Sequence, residues 1–195
     1  VKRIFDIIAS LIGIILLIPF FVVIWIGIKC ESQGNGFYRQ TRVGFKGIDF
    51  GLFKFRTMYT GSDKKGLLTV GGRDPRITRL GYYLRKYKLD ELPQLFNVLI
   101  GDMSLVGPRP EVRKYVDMYT SDQLRVLDVK PGITDYASIE FSNENELLGK
   151  SEHPEKVYTE EIMPKKLELN MKYITEQNLA TDLKIIWATI LKIMR

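Results

Sequence analysis

The 195-residue sequence contains one cysteine, Cys30, and one histidine, His153. A lone cysteine excludes an internal disulfide and a Cys-rich zinc site, and a lone histidine leaves no pair for a His-based metal site. His153 lies in the turn-like run Ser-Glu-His-Pro, so a Ser-His-Asp or Cys-His mechanism has little to be built from. A phosphate-cradling glycine fingerprint is missing as well. Gly71-Gly72 lacks the strand-to-helix spacing of a dinucleotide loop or a P-loop, and residues 60–79 read as a glycine-rich polar loop. Low-complexity tracts are also missing, and 45% hydrophobic with 27% charged residues suits a folded chain with a real core.

Charge is uneven. Residues 37–130 carry 18 basic against 10 acidic side chains, whereas residues 131–195 carry 8 against 11. A basic middle attracts polyanions of any kind: a nucleic acid, an anionic membrane surface or a nucleotide diphosphate. No nucleic-acid recognition motif accompanies it, so no nucleic-acid partner is expected.

Residues 7–28 form 22 consecutive uncharged positions rich in Ile, Leu, Val and Phe, enough as a helix to reach across roughly 30 Å of hydrocarbon. The run is too long for a signal-peptide core and lacks a small-x-small cleavage site before Cys30. Pro19 lies inside it, where it removes a backbone hydrogen bond and crowds the preceding turn. The sequence therefore predicts a kink at Pro19, giving either a bent crossing helix or a broken one that returns to the side it entered. Lys2, Arg3 and Lys29 flank the run with little asymmetry, which is compatible with both ends lying on one face. Residues 1–36 are expected to be the membrane segment and 37–195 the second, polar domain.

Phe37–Val43 and Leu52–Met58 alternate apolar and polar residues around Gly44, Gly47 and Gly51, predicting a β-hairpin with Lys54 and Arg56 on one face. Arg73, Arg76 and Arg79 follow. Leu92, Leu95, Phe96 and Leu99 recur at helical spacing, and Pro93 requires the helix to begin near it, which puts Asp90 at or near the N-cap. Asp90 and Glu91 are thus either plain cap and dipole decoration or an oxygen pair suited to Mg²⁺ and phosphoryl chemistry. Pro108 and Pro110 restrict the backbone on both sides of Arg109, which points a guanidinium suited to phosphate.

Lys54-Phe55-Arg56-Thr57-Met58, Asp74-Pro75-Arg76-Ile77-Thr78, the stretch from Leu89 to Leu99, Gly101-Asp102-Met103-Ser104 and Gly107-Pro108-Arg109-Pro110 together resemble the bacterial sugar transferases, the small monotopic phosphoglycosyl transferases. The resemblance covers the N-terminal apolar segment and nearly everything from Phe37 to Thr134. It implies an α/β fold, mostly helical with a small antiparallel hairpin, seated on the bacterial inner membrane with its catalytic domain on the cytoplasmic face. It implies transfer of a sugar 1-phosphate from a UDP-sugar donor to a polyprenyl (undecaprenyl) phosphate acceptor with release of UMP, the first membrane step of glycan assembly. The mechanism implied is ping-pong, with Asp90 as nucleophile, Glu91 beside it, Mg²⁺ held by the pair, and Arg109, Lys54, Arg56 and Arg76 on phosphate. It further implies a re-entrant helix broken near Pro19, and an architecture with no multi-helix domain ahead of the catalytic one. A silent membrane-anchored scaffold is the alternative from another class, and direct displacement is the mechanistic rival.

After Lys130-Pro131-Gly132-Ile133-Thr134 the chain reads Asp135-Tyr136-Ala137-Ser138, where many relatives have Gly-Leu-Ala-Gln, which leaves the donor sugar open. Pro164 to Tyr173 and Asp182 to Met194 read as helices, the second capped by Thr181 or Asp182. Its stripe of Leu183, Ile186, Trp187, Ile190, Leu191 and Met194 fits either core packing or an amphipathic interfacial helix with Trp187 among the lipid headgroups.

Overall fold

The computed structural model describes residues 1–62 and 74–193. Gly66, Gly71, Gly72 and Arg73 of the expected loop, and Met194 of the last stripe, lie outside the described residues.

Helix α1 spans Lys2–Glu31 and buries Asp6, Ser10, Ile14, Phe21 and Ile28. These positions fall four or seven apart, so they form one stripe along the helix. That stripe packs on the rest of the molecule, while Ile8, Leu11, Ile15, Leu16, Phe20 and Val23 stay exposed. By length and composition alone, α1 is able to cross a membrane. The helix runs on through Pro19. Leu17 before it and Phe21, Ile24 and Ile28 after it share one apolar cluster with Phe55 and Leu84, so packing holds both sides of the proline together against the loss of one hydrogen bond.

Both ends of α1 are tied down. At its start, Lys2 Nζ donates to Asp182 at 2.5 Å and to the Val106 carbonyl at 3.0 Å, and Arg3 donates to the carbonyls of Val98 (2.6 Å) and Leu99 (3.0 Å). Asp6 accepts from Ser104 Oγ at 2.8 Å and from the Leu105 amide at 3.1 Å. At its end, Glu31 accepts from the amides of Arg79 (2.7 Å) and Leu80 (3.1 Å). Those amides open α2, Arg79–Lys86, where a carboxylate answers unpaired N–H groups and the positive end of the helix dipole.

The hairpin forms from β1 (Phe37–Val43) and β2 (Asp49–Phe55), paired antiparallel with Phe37 opposite Phe55. The second strand therefore ends earlier than the alternation of Leu52–Met58 predicts. The Arg56 side chain donates to the carbonyls of Ser32 (2.9 Å), Gln33 (2.6 Å) and Asn35 (2.6 Å), closing the turn after α1. A second pair not foreseen from sequence, β3 (Ser104–Val106) with β4 (Gly132–Thr134), runs parallel. Between them Gly107 and Gly132 meet so closely that a Cβ on Gly132 would lie 2.1 Å from the Gly107 nitrogen. Helix α3, Gln94–Ile100, packs along α1, with Leu95 against Gly13 and Phe96 near Phe21.

The C-terminal part is helical: α4 (Arg113–Val116), α5 (Tyr136–Glu140), α6 (Glu144–Gly149), α7 (Pro154–Val157), a π-helical turn at Tyr158–Ile162, α8 (Met163–Glu176) and α9 (Leu179–Ile193). Its core gathers Val112, Tyr115, Val126, Leu148, Ile162 and Leu167. The cap of α9 differs from the one expected. Asn178, not Thr181 or Asp182, caps it, accepting from the Thr181 amide at 2.9 Å, while Asp182 is buried one turn in. Of the expected stripe, Leu183, Trp187, Ile190 and Leu191 are exposed, Trp187 being 63% so, while Ile186 packs partly buried against the core of Val106, Tyr173 and Ile185.

Asp6→Ala leaves the Ser104 hydroxyl and the Leu105 amide without their partner, and is expected to cost about 1–3 kcal/mol of stability, read as a lower thermal midpoint in detergent. An unchanged midpoint would show that Asp6 does not hold α1 to β3.

Candidate active site

Asp90 and Glu91 lie in a 3₁₀ turn, Leu89–Glu91, entered through Lys88 at φ 56°. Asp90 is therefore not the N-cap of α3. Pro93 takes that position, and no side chain caps the helix. The turn directs both carboxylates inward: Asp90 is 7% exposed, and both line a cleft of about 1500 Å³.

Glu91 is the hub. Arg109 approaches it with both terminal nitrogens, Nη1 to Oε2 at 2.9 Å and Nη2 to Oε1, and Lys54 Nζ lies 3.4 Å from Oε1. Arg109 is held in turn by its own backbone. Its amide donates to Asp135 at 3.3 Å, the Gly132 amide donates to the Pro108 carbonyl at 3.0 Å, and prolines stand on both sides. Asp135 is fully buried and also caps α5 through the Ser138 amide at 2.6 Å.

The electrostatics separate the two carboxylates. Burial alone would push Glu91 up, but Arg109 and Lys54 hold its carboxyl well below the usual range. Burial and the Glu91 charge push Asp90 up to about 6, with Lys54 opposing. Burial lowers Lys54 to about 8 against the pull of Glu91. Arg109 stays charged throughout, because Glu91 outweighs its burial. One carboxylate is thus committed to cations, and the other is buried with no hydrogen bond among the described residues.

Of the residues singled out from sequence, the structure brings Asp90, Glu91, Arg109 and Lys54 together. Arg56 and Arg76 line the same cleft but are engaged elsewhere, Arg56 on the carbonyls after α1 and Arg76 on Asp74 at 2.6 Å. Pro19 and Trp187 lie on the exposed faces of α1 and α9. Sequence reasoning missed Arg42, Glu111, Asp135 and Asn170. Glu111 had a local signal in continuing Pro108-Arg109-Pro110, and Asp135 had one in opening the stretch that departs from many relatives, whereas Arg42 and Asn170 had none.

Among the described residues no cluster of three or more His, Cys, Asp or Glu side chains could hold a metal by itself. Mg²⁺ nonetheless suits Asp90, because it is commonly bound by one or two carboxylates with substrate phosphate and water completing its shell.

The description of the bacterial sugar transferase family matches residues 1–195. The chain belongs to the bacterial sugar transferase family. It is 36% identical to the UDP-glucose:undecaprenyl-phosphate glucose-1-phosphate transferase of Caulobacter vibrioides, over 97% of this chain and 68% of that protein. It is also 36% identical to the Escherichia coli K12 protein of the same description, over 98% of this chain and 39% of that one. An uncharacterized sugar transferase of Bacillus subtilis, EpsL, is 38% identical over 99% of this chain and 87% of its own. The chain spans 35–39% of the length of several longer relatives.

A carboxyl whose native pKa is raised favours the fold below its ordinary pKa and loses that contribution as pH rises through about 6. Asp90→Asn is therefore expected to melt higher than wild type at pH 7.5, with the difference closing toward pH 4. Equal midpoints at both pH values would refute the buried, unpaired state of Asp90.

Proposed function

We propose that the chain transfers a sugar 1-phosphate from a UDP-sugar to a polyprenyl phosphate, releasing UMP, with Asp90 as the covalent nucleophile. The observation that carries this reading is the division of labour between the paired carboxylates: Glu91 neutralises Arg109 and Lys54, and Asp90 is left buried with no hydrogen bond among the described residues. Relatives named as UDP-glucose:undecaprenyl-phosphate glucose-1-phosphate transferases support the substrate classes.

An Asp90 oxygen attacks the phosphorus bearing the sugar, the bond from that phosphorus to the bridging oxygen breaks, and UMP departs. A phosphate oxygen of the lipid acceptor then attacks the same phosphorus, and the acyl-phosphate bond breaks to restore the carboxylate. Dividing the reaction keeps a diphosphate donor and an anionic acceptor from having to bind together. Arg109 and Lys54 face the phosphate charge in both halves. Bound Mg²⁺ would supply further charge neutralisation at the phosphate oxygens beside Asp90.

The same reading seats the protein on the cytoplasmic face of a bacterial inner membrane, with the outward stripes of α1 and α9 in lipid. Both ends of α1 are anchored to one body, through Lys2, Arg3 and Asp6 and through Glu31. That supports a helix whose two ends stay on one side of the bilayer.

Intact-protein mass after mixing with Mg²⁺ and a UDP-sugar panel, without acceptor, is expected to show a sugar-phosphate adduct on wild type and none on Asp90→Asn. UMP release that requires polyprenyl phosphate, with no adduct, would instead establish direct displacement. For the membrane seat, Cys30 and a cysteine placed at Val1 in a Cys30→Ser background should both react with an impermeant maleimide added to one side of sealed vesicles. Labelling of only one of the two would mean that α1 crosses.

A further inference from the structure

A second polar constellation lies immediately past Arg109. Glu111 accepts from Arg42 Nη1 at 2.9 Å, from the Val112 amide at 2.7 Å and from the Tyr158 hydroxyl. Arg42 also donates to the Pro110 carbonyl at 3.2 Å. Tyr158 opens the π-helical turn between α7 and α8, a local widening of the helix that is common at functional sites. The Lys166 ammonium stands 5.4 Å over the Tyr158 ring and pairs with Glu144 at 2.9 Å.

Three buried polar atoms around this cluster have no partner among the described residues: Arg42 Nε, Asn170 Oδ1 and Ser138 Oγ. All three residues line the same cleft as Asp90 and Arg109, and Asn170 is 6% exposed. A buried polar atom without a partner costs stability unless something meets it. What meets these must accept from Arg42, donate to Asn170, and do either with Ser138. Phosphate oxygens only accept, and Glu111, Glu144 and Asp135 would repel them; a hydroxyl does both.

Position then selects among hydroxylated groups. Ser138 and Arg109 share Asp135 as acceptor, and Arg42 touches the residue next to Arg109. In a UDP-sugar the hexose hangs directly on the phosphorus that Asp90 attacks, whereas the base lies beyond a second phosphate and a ribose.

We propose that this pocket reads the hydroxyls of the donor's sugar, with Asn170, Ser138 and Arg42 as specificity-determining residues. The proposal rests on the donor reading above and extends it to residues that fix which sugar is taken. Discrimination by hydrogen bonds to hydroxyls is strong, because the wrong epimer leaves buried groups unpaired.

The test compares full-length wild type, Asn170→Ala and Ser138→Ala. It measures UMP release with polyprenyl phosphate present from UDP-glucose, UDP-galactose and UDP-N-acetylglucosamine, together with the Kd for UMP, which lacks the sugar. Each variant should lower kcat/KM for the preferred donor by about tenfold or more and flatten the ratio among donors, with UMP affinity within about twofold of wild type. If UMP affinity falls in step with kcat/KM, the pocket reads the nucleotide and the proposal is overturned. It is also overturned if rates and ratios stay at wild-type values, which would mean the three atoms are met by water alone. Should Asn170→Ala fail to fold, Ser138→Ala on half-buried α5 carries the test. Wild type that releases UMP from no UDP-sugar would overturn the donor reading itself, a result distinct from any change confined to the variants.

Discussion

The pairing of Glu91 with Arg109 is the contact that joins, inside the candidate site, two parts of the molecule that Asp6 with Ser104 and Arg42 with Glu111 also tie together. Glu91 belongs to the turn between α2 and α3, which is held by α1 and the hairpin. Arg109 belongs to the proline-flanked loop after β3, which is held by β4 and α5. A bidentate, buried ion pair joins them in one geometry. Removing Arg109 leaves Glu91 with Lys54 alone, and removing Glu91 leaves both cations without their shared carboxylate, so loss of one member costs more than the pair itself contributes. The pair also acts on its neighbour: burial first, and then the adjacent Glu91 charge, make Asp90 harder to charge.

Much of this site is legible in sequence because its parts are local. Asp90-Glu91 ahead of Pro93, and Arg109 between two prolines, declare themselves by residue type and adjacency. Guanidinium groups elsewhere do not. Arg56 and Arg76 offer the same phosphate-binding group, yet one closes the turn after α1 and the other holds Asp74. Only the fold tells which arginine still faces the cleft. The second hairpin strand ends at Phe55 for the same reason: the Arg56 amide still meets the Gly36 carbonyl, but its side chain is spent on carbonyls that lie more than twenty positions earlier.

The longest-range ties were invisible. Lys2 with Asp182 and Asp6 with Ser104 join residues 180 and 98 positions apart, and strands of three residues such as β3 and β4 leave no period to detect. Such contacts are made by single charged or hydroxylated side chains whose partners can be named only after the chain is folded. The stripe on α9 was legible as a stripe but ambiguous in purpose, since periodicity marks an apolar face without saying whether protein or lipid covers it.

Fastening α1 at both ends makes it a gauge of fixed length and fixed phase. A 30-residue helix is about 45 Å long, and one inserted residue would turn one end by about 100° relative to the other. Glu31 could then face α2 only if Lys2, Arg3 and Asp6 let go of β3 and α3. An ordinary membrane helix answers a thicker or thinner bilayer by tilting or by drifting in length over evolution. This one is ruled by the body it is strapped to, so adaptation to a different membrane falls to the lipids around it and to the outward side chains, whose identities can change without moving either end.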